Sequence, residues 1–149
     1  KMTARRYYGV QEKQFREYYE KADKKAGVTG ENMLTILECR LDNVVYRMGL
    51  ASSRKEARQM VRHAHFTLNG KKVDIPSIIC KVGDVIALRE KSKSSEKFKM
   101  LVETSETAVI PKWLEIDHAN ATAKVIALPK RDDIDFPFEE QLIVELYSK

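Results

Sequence analysis

The sequence predicts an α+β chain, an α-helical domain joined to a helix-turn-helix packed on a small antiparallel sheet. Three observations carry this. Apolar residues recur at helical spacing through the first sixty-odd positions, and two later stretches carry the alternation and turn dipeptides of β-hairpins. At 149 residues, with 43% hydrophobic and 33% charged residues, the chain can bury one core or two small ones beneath a heavily charged surface.

The opening KMTARRYYGV begins with Lys rather than Met, so a processed or truncated start is expected. Its Arg5, Arg6 and Tyr7 combine cations with an aromatic face, the pairing that grips irregular RNA by phosphate contact and base stacking. The competing role for Tyr7 and Tyr8 is packing on the first helix. Phe15, Tyr18, Tyr19, Ala22 and Ala26 mark that helix as amphipathic, Gly27 ends it, and Thr29 is placed to cap the next.

The second helix is predicted to run from about Gly30 to Met48, with Leu37, Leu41, Val44, Val45 and Met48 on one stripe. Gly49 supplies a left-handed stop, and Ser52 or Ser53 supplies a side-chain oxygen for the free amides of a third helix. There Ala57, Met60, Val61 and Ala64 form the apolar stripe. Arg54, Arg58 and Arg62 recur every fourth residue, with Lys55 beside them, about 120° around the axis from that stripe. One side of the helix is thus buried and another offers cations.

Phe66, Thr67 and Leu68 read as a strand, Asn69-Gly70 as a tight turn needing positive φ twice, and Lys71, Lys72 and Val73 as the returning strand. The hairpin tip is expected to set two lysines beside the arginine face. Gly83-Asp84 turns the chain into the apolar run Val85, Ile86, Ala87, Leu88. REKSKSSEK after it reads as a polar loop passing into a short helix over Phe98 to Thr107, broken by Pro111. Trp113 to Asp117, a turn at Asn120, and the alternating Ala123, Val125 and Ala127 predict a second hairpin. At the end, Pro137 with Glu139 and Glu140 predicts a short helix, although Leu142, Ile143, Val144 and Leu146 would also suit a strand.

Charge narrows the function. Residues 1–90 carry a net charge of +7 and residues 91–149 a net charge of −2, recovering the overall +5. Between Arg54 and Lys72 six cations, Arg54, Lys55, Arg58, Arg62, Lys71 and Lys72, face the single carboxylate of Glu56. Isolated surface charges commonly serve solubility alone, but a cluster of this density is the footprint expected for a phosphate backbone. Arg40 and Arg47 are weaker candidates, since they sit on the preceding helix and can pair with Glu38 or Asp42 instead.

The sequence excludes much else. It has no GxSxG, P-loop, GxGxxG or HExxH, and the adjacent Asp132 and Asp133 fit a charged loop better than an acid–base pair, so no catalytic residues are assigned and no enzyme is expected. Cys39 and Cys80 lack the spacing of a zinc site and read as buried free thiols; His63 and His65 have no further ligands nearby, so neither a metal nor a cofactor is expected. No apolar run reaches membrane-spanning length and no signal segment opens the chain; the location expected is cytoplasmic.

LECRLDNVVYRMGLASSRKEARQMVRHAHFTLNGKKVDIPS, followed by KVGDVIALREKSKS, closely resembles the RNA-binding module named after ribosomal protein S-four. With YYGVQEKQFREYY before it, PKWLEID after it and the ending EEQLIVELYSK, essentially the whole chain resembles the bacterial small-subunit ribosomal protein S-four family. Members usually carry a further basic N-terminal segment ahead of the position of Lys1, so a shortened N-terminus and a complete C-terminus are expected. The resemblance implies an α-helical domain at 1–38 and 139–149 and an inserted domain at 39–138 containing the module at 39–90. It implies a structural constituent of the small ribosomal subunit that binds a multi-helix junction in the 5′ domain of small-subunit rRNA early in assembly. It further implies contact with the neighbouring small-subunit ribosomal protein S-five, an influence on translational accuracy and, in some bacteria, binding to its own mRNA. Two other readings of the module compete: the targeting domain of an RNA-modifying enzyme, and a DNA-binding helix-turn-helix regulator that sets its second helix in a major groove.

Overall fold

The computed structural model describes residues 3–134, so the helix expected from Pro137 lies outside the described residues. The chain divides into two compact units, one built from residues up to Glu38 together with those from Pro129 onward, the other from Cys39–Leu128.

In the first unit, α1 (Ala4–Tyr8) starts where the Arg6 backbone N–H donates to Thr3 Oγ1 (3.3 Å) and stops at Gly9, whose φ of 69° is left-handed. Helix α2 (Glu12–Lys24) buries Phe15, Tyr18, Tyr19 and Ala22 against α3 (Thr29–Glu38). Asn32 ties the two together: its Nδ2 donates to the carbonyls of Ala22 (3.2 Å) and Ala26 (3.3 Å), at and just beyond the end of α2. Thr29 is the first residue of α3, and its hydroxyl donates to Asp23 Oδ1 at 3.4 Å.

The continuous helix expected from Gly30 to Met48 is broken. Helix α3 ends at Glu38, Arg40 is extended (φ −59°, ψ 142°), and α4 (Leu41–Arg47) starts afresh. Arg40 forms an antiparallel bridge with Ile79, flanked by Leu41 N–H donating to Ile78 O and Cys80 N–H donating to Cys39 O, both at 2.8 Å. These bonds replace those a continuing helix would have made, and the apolar stripe carries on across the break with no sign of it in its periodicity.

In the second unit, the chain leaves α4 through the left-handed Gly49 (φ 85°), and α5 (Arg54–Arg62) follows. Strands β1 (Phe66–Leu68), β2 (Lys71–Val73) and β3 (Val85–Leu88) come next, then α6 (Glu90–Lys93) and α7 (Glu96–Ser105). The stretch read as a loop after Leu88 is therefore helical, with Lys93 Nζ 3.1 Å from Glu90 Oε1 within α6. Strands β4 (Leu114–Asp117) and β5 (Thr122–Val125) form the second hairpin and complete an antiparallel sheet of order β2-β1-β3-β5-β4. A 3₁₀ turn at Arg131–Asp133 returns to the first unit.

Register decides which side chains meet. Phe66 pairs with Val73 and Leu88, Ile86 with Leu68 and Ala123, and Ala123 with Ile116. One face of the sheet is therefore apolar, and it packs with Val44, Val45, Ala57, Met60 and Val61 from α4 and α5 into a single core. Burying a side chain such as Phe66 completely contributes about 2–3 kcal/mol. The opposite face carries Lys72, Thr67, Ala87, Thr122 and Asp117 in one cross-strand row and is polar. Cys39 and Cys80, distant in sequence, are brought together as buried free thiols, and burial pushes the Cys80 thiol far up. Among the described residues no three His, Cys, Asp or Glu side chains could hold a metal, and no helix is long and apolar enough to cross a membrane.

Candidate nucleic-acid interface

Helix α5 is set by a reciprocal cap. The Glu56 backbone N–H donates to Ser53 Oγ (3.1 Å), while the Glu56 carboxylate accepts from the Ser52 backbone N–H (3.0 Å). The single acid of the basic stretch is thus occupied at the helix start, where the dipole favours it. Ala57, Met60 and Val61 face the core, Lys55 and Arg62 are exposed, and Arg54 and Arg58 lie half-buried along the edges of the apolar face.

Those two half-buried arginines are braced by α4. Arg54 Nε donates to Asn43 Oδ1 at 2.8 Å, and its guanidinium lies 4.5 Å from the Tyr46 ring centroid. Arg58 Nε lies 3.6 Å from Asp42 Oδ2. The same carboxylate accepts two bonds from Arg40, from Nε at 3.1 Å and from Nη2 at 3.0 Å, with Arg40 4% and Asp42 2% exposed. A buried carboxylate that neutralises one guanidinium and half-engages a second is strongly held, because removing any partner leaves charge stranded in low dielectric. Arg40 therefore serves the frame. Arg47, in the last turn of α4, is half-buried, 5.9 Å from the Tyr46 ring.

At the hairpin, Asn69 (φ 51°) and Gly70 (φ 84°) make the expected turn. Asn69 does more than turn: its Oδ1 accepts from Val85 N–H (2.9 Å) and its Nδ2 donates to Asp84 Oδ1 (3.0 Å), fastening the tip to the start of β3. Lys71 and Lys72 are both exposed. The pleat separates them, however. Lys71 pairs with Leu68 and points to the helix-bearing side of the sheet, whereas Lys72 pairs with Thr67 and points to the polar side. Only Lys71 shares a side with α5.

Arg5, Arg6 and Tyr7 belong to the first unit. Arg5 and Arg6 are exposed, with Arg5 Nε 3.4 Å from Glu12 Oε2. Tyr7 is half-buried and stands edge-on to Tyr8 at 5.1 Å and 86°, while Tyr8 is buried and donates its hydroxyl to Glu38.

Cations that pattern reading passed over also gather at the end of α5. Arg89 N–H donates to His65 O (2.8 Å) and Arg89 Nη1 to Ala64 O (2.9 Å), which fixes the guanidinium just past Arg62. The His65 imidazole, 2.8 Å from the Ser92 hydroxyl, is held below its usual pKa, first by burial and then by the positive charge of His63, Lys97 and Arg89. The available signal was the run of Arg89, Lys91, Lys93 and Lys97, which counts as basic only once α6 and α7 fold it back onto His65.

A rigid helix pair with outward cations, packed on an antiparallel sheet, defines the class as a nucleic-acid-binding protein. Residues 39–86 match the S4 domain and residues 1–38 match the ribosomal protein S4/S9 N-terminal domain. Over its whole length the chain is 65% identical to the small ribosomal subunit protein uS4 of Acetivibrio thermocellus, 62% to that of Clostridioides difficile and 57% to that of Pelotomaculum thermopropionicum, spanning 72% of each relative. The chain belongs to the uS4 family of small ribosomal subunit proteins.

Proposed function

We propose that the chain is a structural protein of the small ribosomal subunit that holds a multi-helix junction in the 5′ domain of small-subunit rRNA. The observation that carries this is the α5 surface: Lys55 and Arg62 project from a helix pair whose Arg54 and Arg58 are braced by Asn43 and Asp42, and Lys71 of β2 lies on the same side of the sheet. Cations spaced by a rigid frame read the arrangement of phosphates rather than base edges, which is how folded RNA is told from a simple duplex. Arg54 and Arg58 contribute charge from fixed positions, Lys72 reaches RNA from the polar side of the sheet, and Arg5, Arg6 and Tyr7 contribute from the helical unit. Contact with the neighbouring protein S-five, an effect on translational accuracy and, in some bacteria, binding to the protein's own mRNA rest on the family resemblance.

The test is a titration of the chain against the junction RNA and against duplex DNA of matched length, from about 50 to 300 mM salt. Junction RNA is expected to bind more tightly, with log K falling by roughly 0.7–0.9 per phosphate contact for each decade of salt, hence a slope near −3 to −5. Equal affinity for both nucleic acids, or affinity indifferent to salt, would overturn the reading.

A further inference from the structure

Away from the outward face of α5, the second unit holds a groove of about 320 Å³ where the α4–α5 turn meets the trailing end of α7. Tyr46, Ala51, Ala108 and Val109 give it aromatic and apolar surface, and Arg47 stands in its wall. Its two sides are held by close contact: a Cβ on Gly49 would fall 2.7 Å from Ala108 Cβ, so the helix end lies directly on the turn. The volume is at the lower limit of small-ligand sites, ~300 Å³, a size suited to one base with its sugar.

Among the described residues the lining contains no carboxylate. Tyr46 has the guanidiniums of Arg54 and Arg47 at 4.5 and 5.9 Å from its ring centroid, so the aromatic surface sits in positive potential. The hydroxyls of Thr104 and Thr107, also in the lining, spend their hydrogens on the carbonyls of Met100 and Thr104, each at 2.9 Å. What remains to them is acceptor capacity, suited to an amino or imino N–H. A flat ring with N–H donors and an attached anion is the matching ligand, and RNA presents it wherever a base is splayed from its stack.

We propose that this groove takes one unstacked nucleotide of the bound RNA, its base against Tyr46 and Val109 and its phosphate on Arg47. The inference rests on the RNA-binding reading above and adds a base-level contact to a surface that otherwise reads phosphates.

The experiment uses the full chain and the junction RNA carrying 2-aminopurine singly at each unpaired position. One position is expected to change fluorescence on binding. Tyr46→Leu and Val109→Asp should abolish that change and weaken binding roughly ten-fold, within the range for loss of one base–aromatic stack, while Tyr46→Phe retains both. Val109 is 94% exposed, so its variant should keep the parent's thermal midpoint. Met100→Asp, on the exposed surface of α7 and outside the groove, controls for the added charge and should bind as the parent does. If no position responds, or if the groove variants bind like the parent, the inference falls and the groove is left to a protein neighbour. Should the parent bind no junction RNA, the functional reading fails and takes this inference with it.

Discussion

Arg58→Glu probes the frame and the interface together. Arg58 Nε lies 3.6 Å from a carboxylate oxygen of Asp42, which is 2% exposed. Coulomb's law at an effective dielectric of ~20 assigns roughly 4–5 kcal/mol to two unit charges at that spacing. Since 32% of the Arg58 side chain is exposed, solvent screening removes about half of that. Reversal loses the attraction and adds a repulsion, which a shorter glutamate relieves in part by turning outward, leaving a destabilisation of about 2–4 kcal/mol. For a unit of this size that lowers the thermal midpoint by about 10 °C or more. Arg62→Glu is the comparison: the side chain is exposed in the last turn of α5, and its reversal costs about 0.3–1 kcal/mol against the helix dipole. Circular dichroism melting paired with RNA titration well below the midpoint separates the two roles. Both variants should bind RNA more weakly, and only Arg58→Glu should melt early. If Arg58→Glu melts within 2 °C of the parent, the Asp42 brace contributes nothing and the reasoning from burial is wrong.

Three further outcomes follow from other parts of the fold. Gly49→Ala forces a Cβ to 2.7 Å from Ala108 at a φ of 85°, so it should destabilise the second unit by about 1–3 kcal/mol in a urea titration. Asn32→Ala leaves the carbonyls of Ala22 and Ala26 without their side-chain donor and should cost about 1–2 kcal/mol, read by amide exchange at the end of α2 and the start of α3. His65 has a folded pKa below the usual imidazole value of 6.5, so between the two values the unfolded chain binds more protons and stability falls as pH drops through that window. Melting of the parent against His65→Gln from pH 7.5 to 5 should show a shallower pH dependence in the variant; parallel curves would remove His65 as a contributor.

Local rules made much of this fold legible before any coordinates. Asn69-Gly70 demanded a two-residue turn because both positions need positive φ, and Ser53 could cap α5 because its oxygen falls three residues from a free amide. What stayed hidden were events between segments distant in sequence. The break at Arg40 depends on residues 78–80 offering backbone partners and on Asp42 accepting a buried guanidinium, neither visible in a helical stripe. Helix α6 escapes pattern reading because its Ser and Lys composition resembles a linker, whereas Arg89 anchors its start to His65 and Ala64. At the interface, charge counting found the cations of α5 but could not sort them. Burial and partners divide exposed Lys55 and Arg62 from braced Arg54 and Arg58, and the pleat sends Lys71 and Lys72 to opposite sides.

The bridge between Arg40 and Ile79 also bears on how the second unit opens. Two short bonds, Leu41 to Ile78 and Cys80 to Cys39, close a loop of roughly forty residues that contains α4, α5, β1 and β2. Fraying from the chain entering at Cys39 is halted at this clasp, since releasing it means uncovering two buried thiols and the Arg40–Asp42 pair at once. Hydrogen exchange at the Leu41 and Cys80 amides should therefore proceed only through opening of the unit as a whole, making them reporters of its global stability and the helix pair within the loop a single cooperative block.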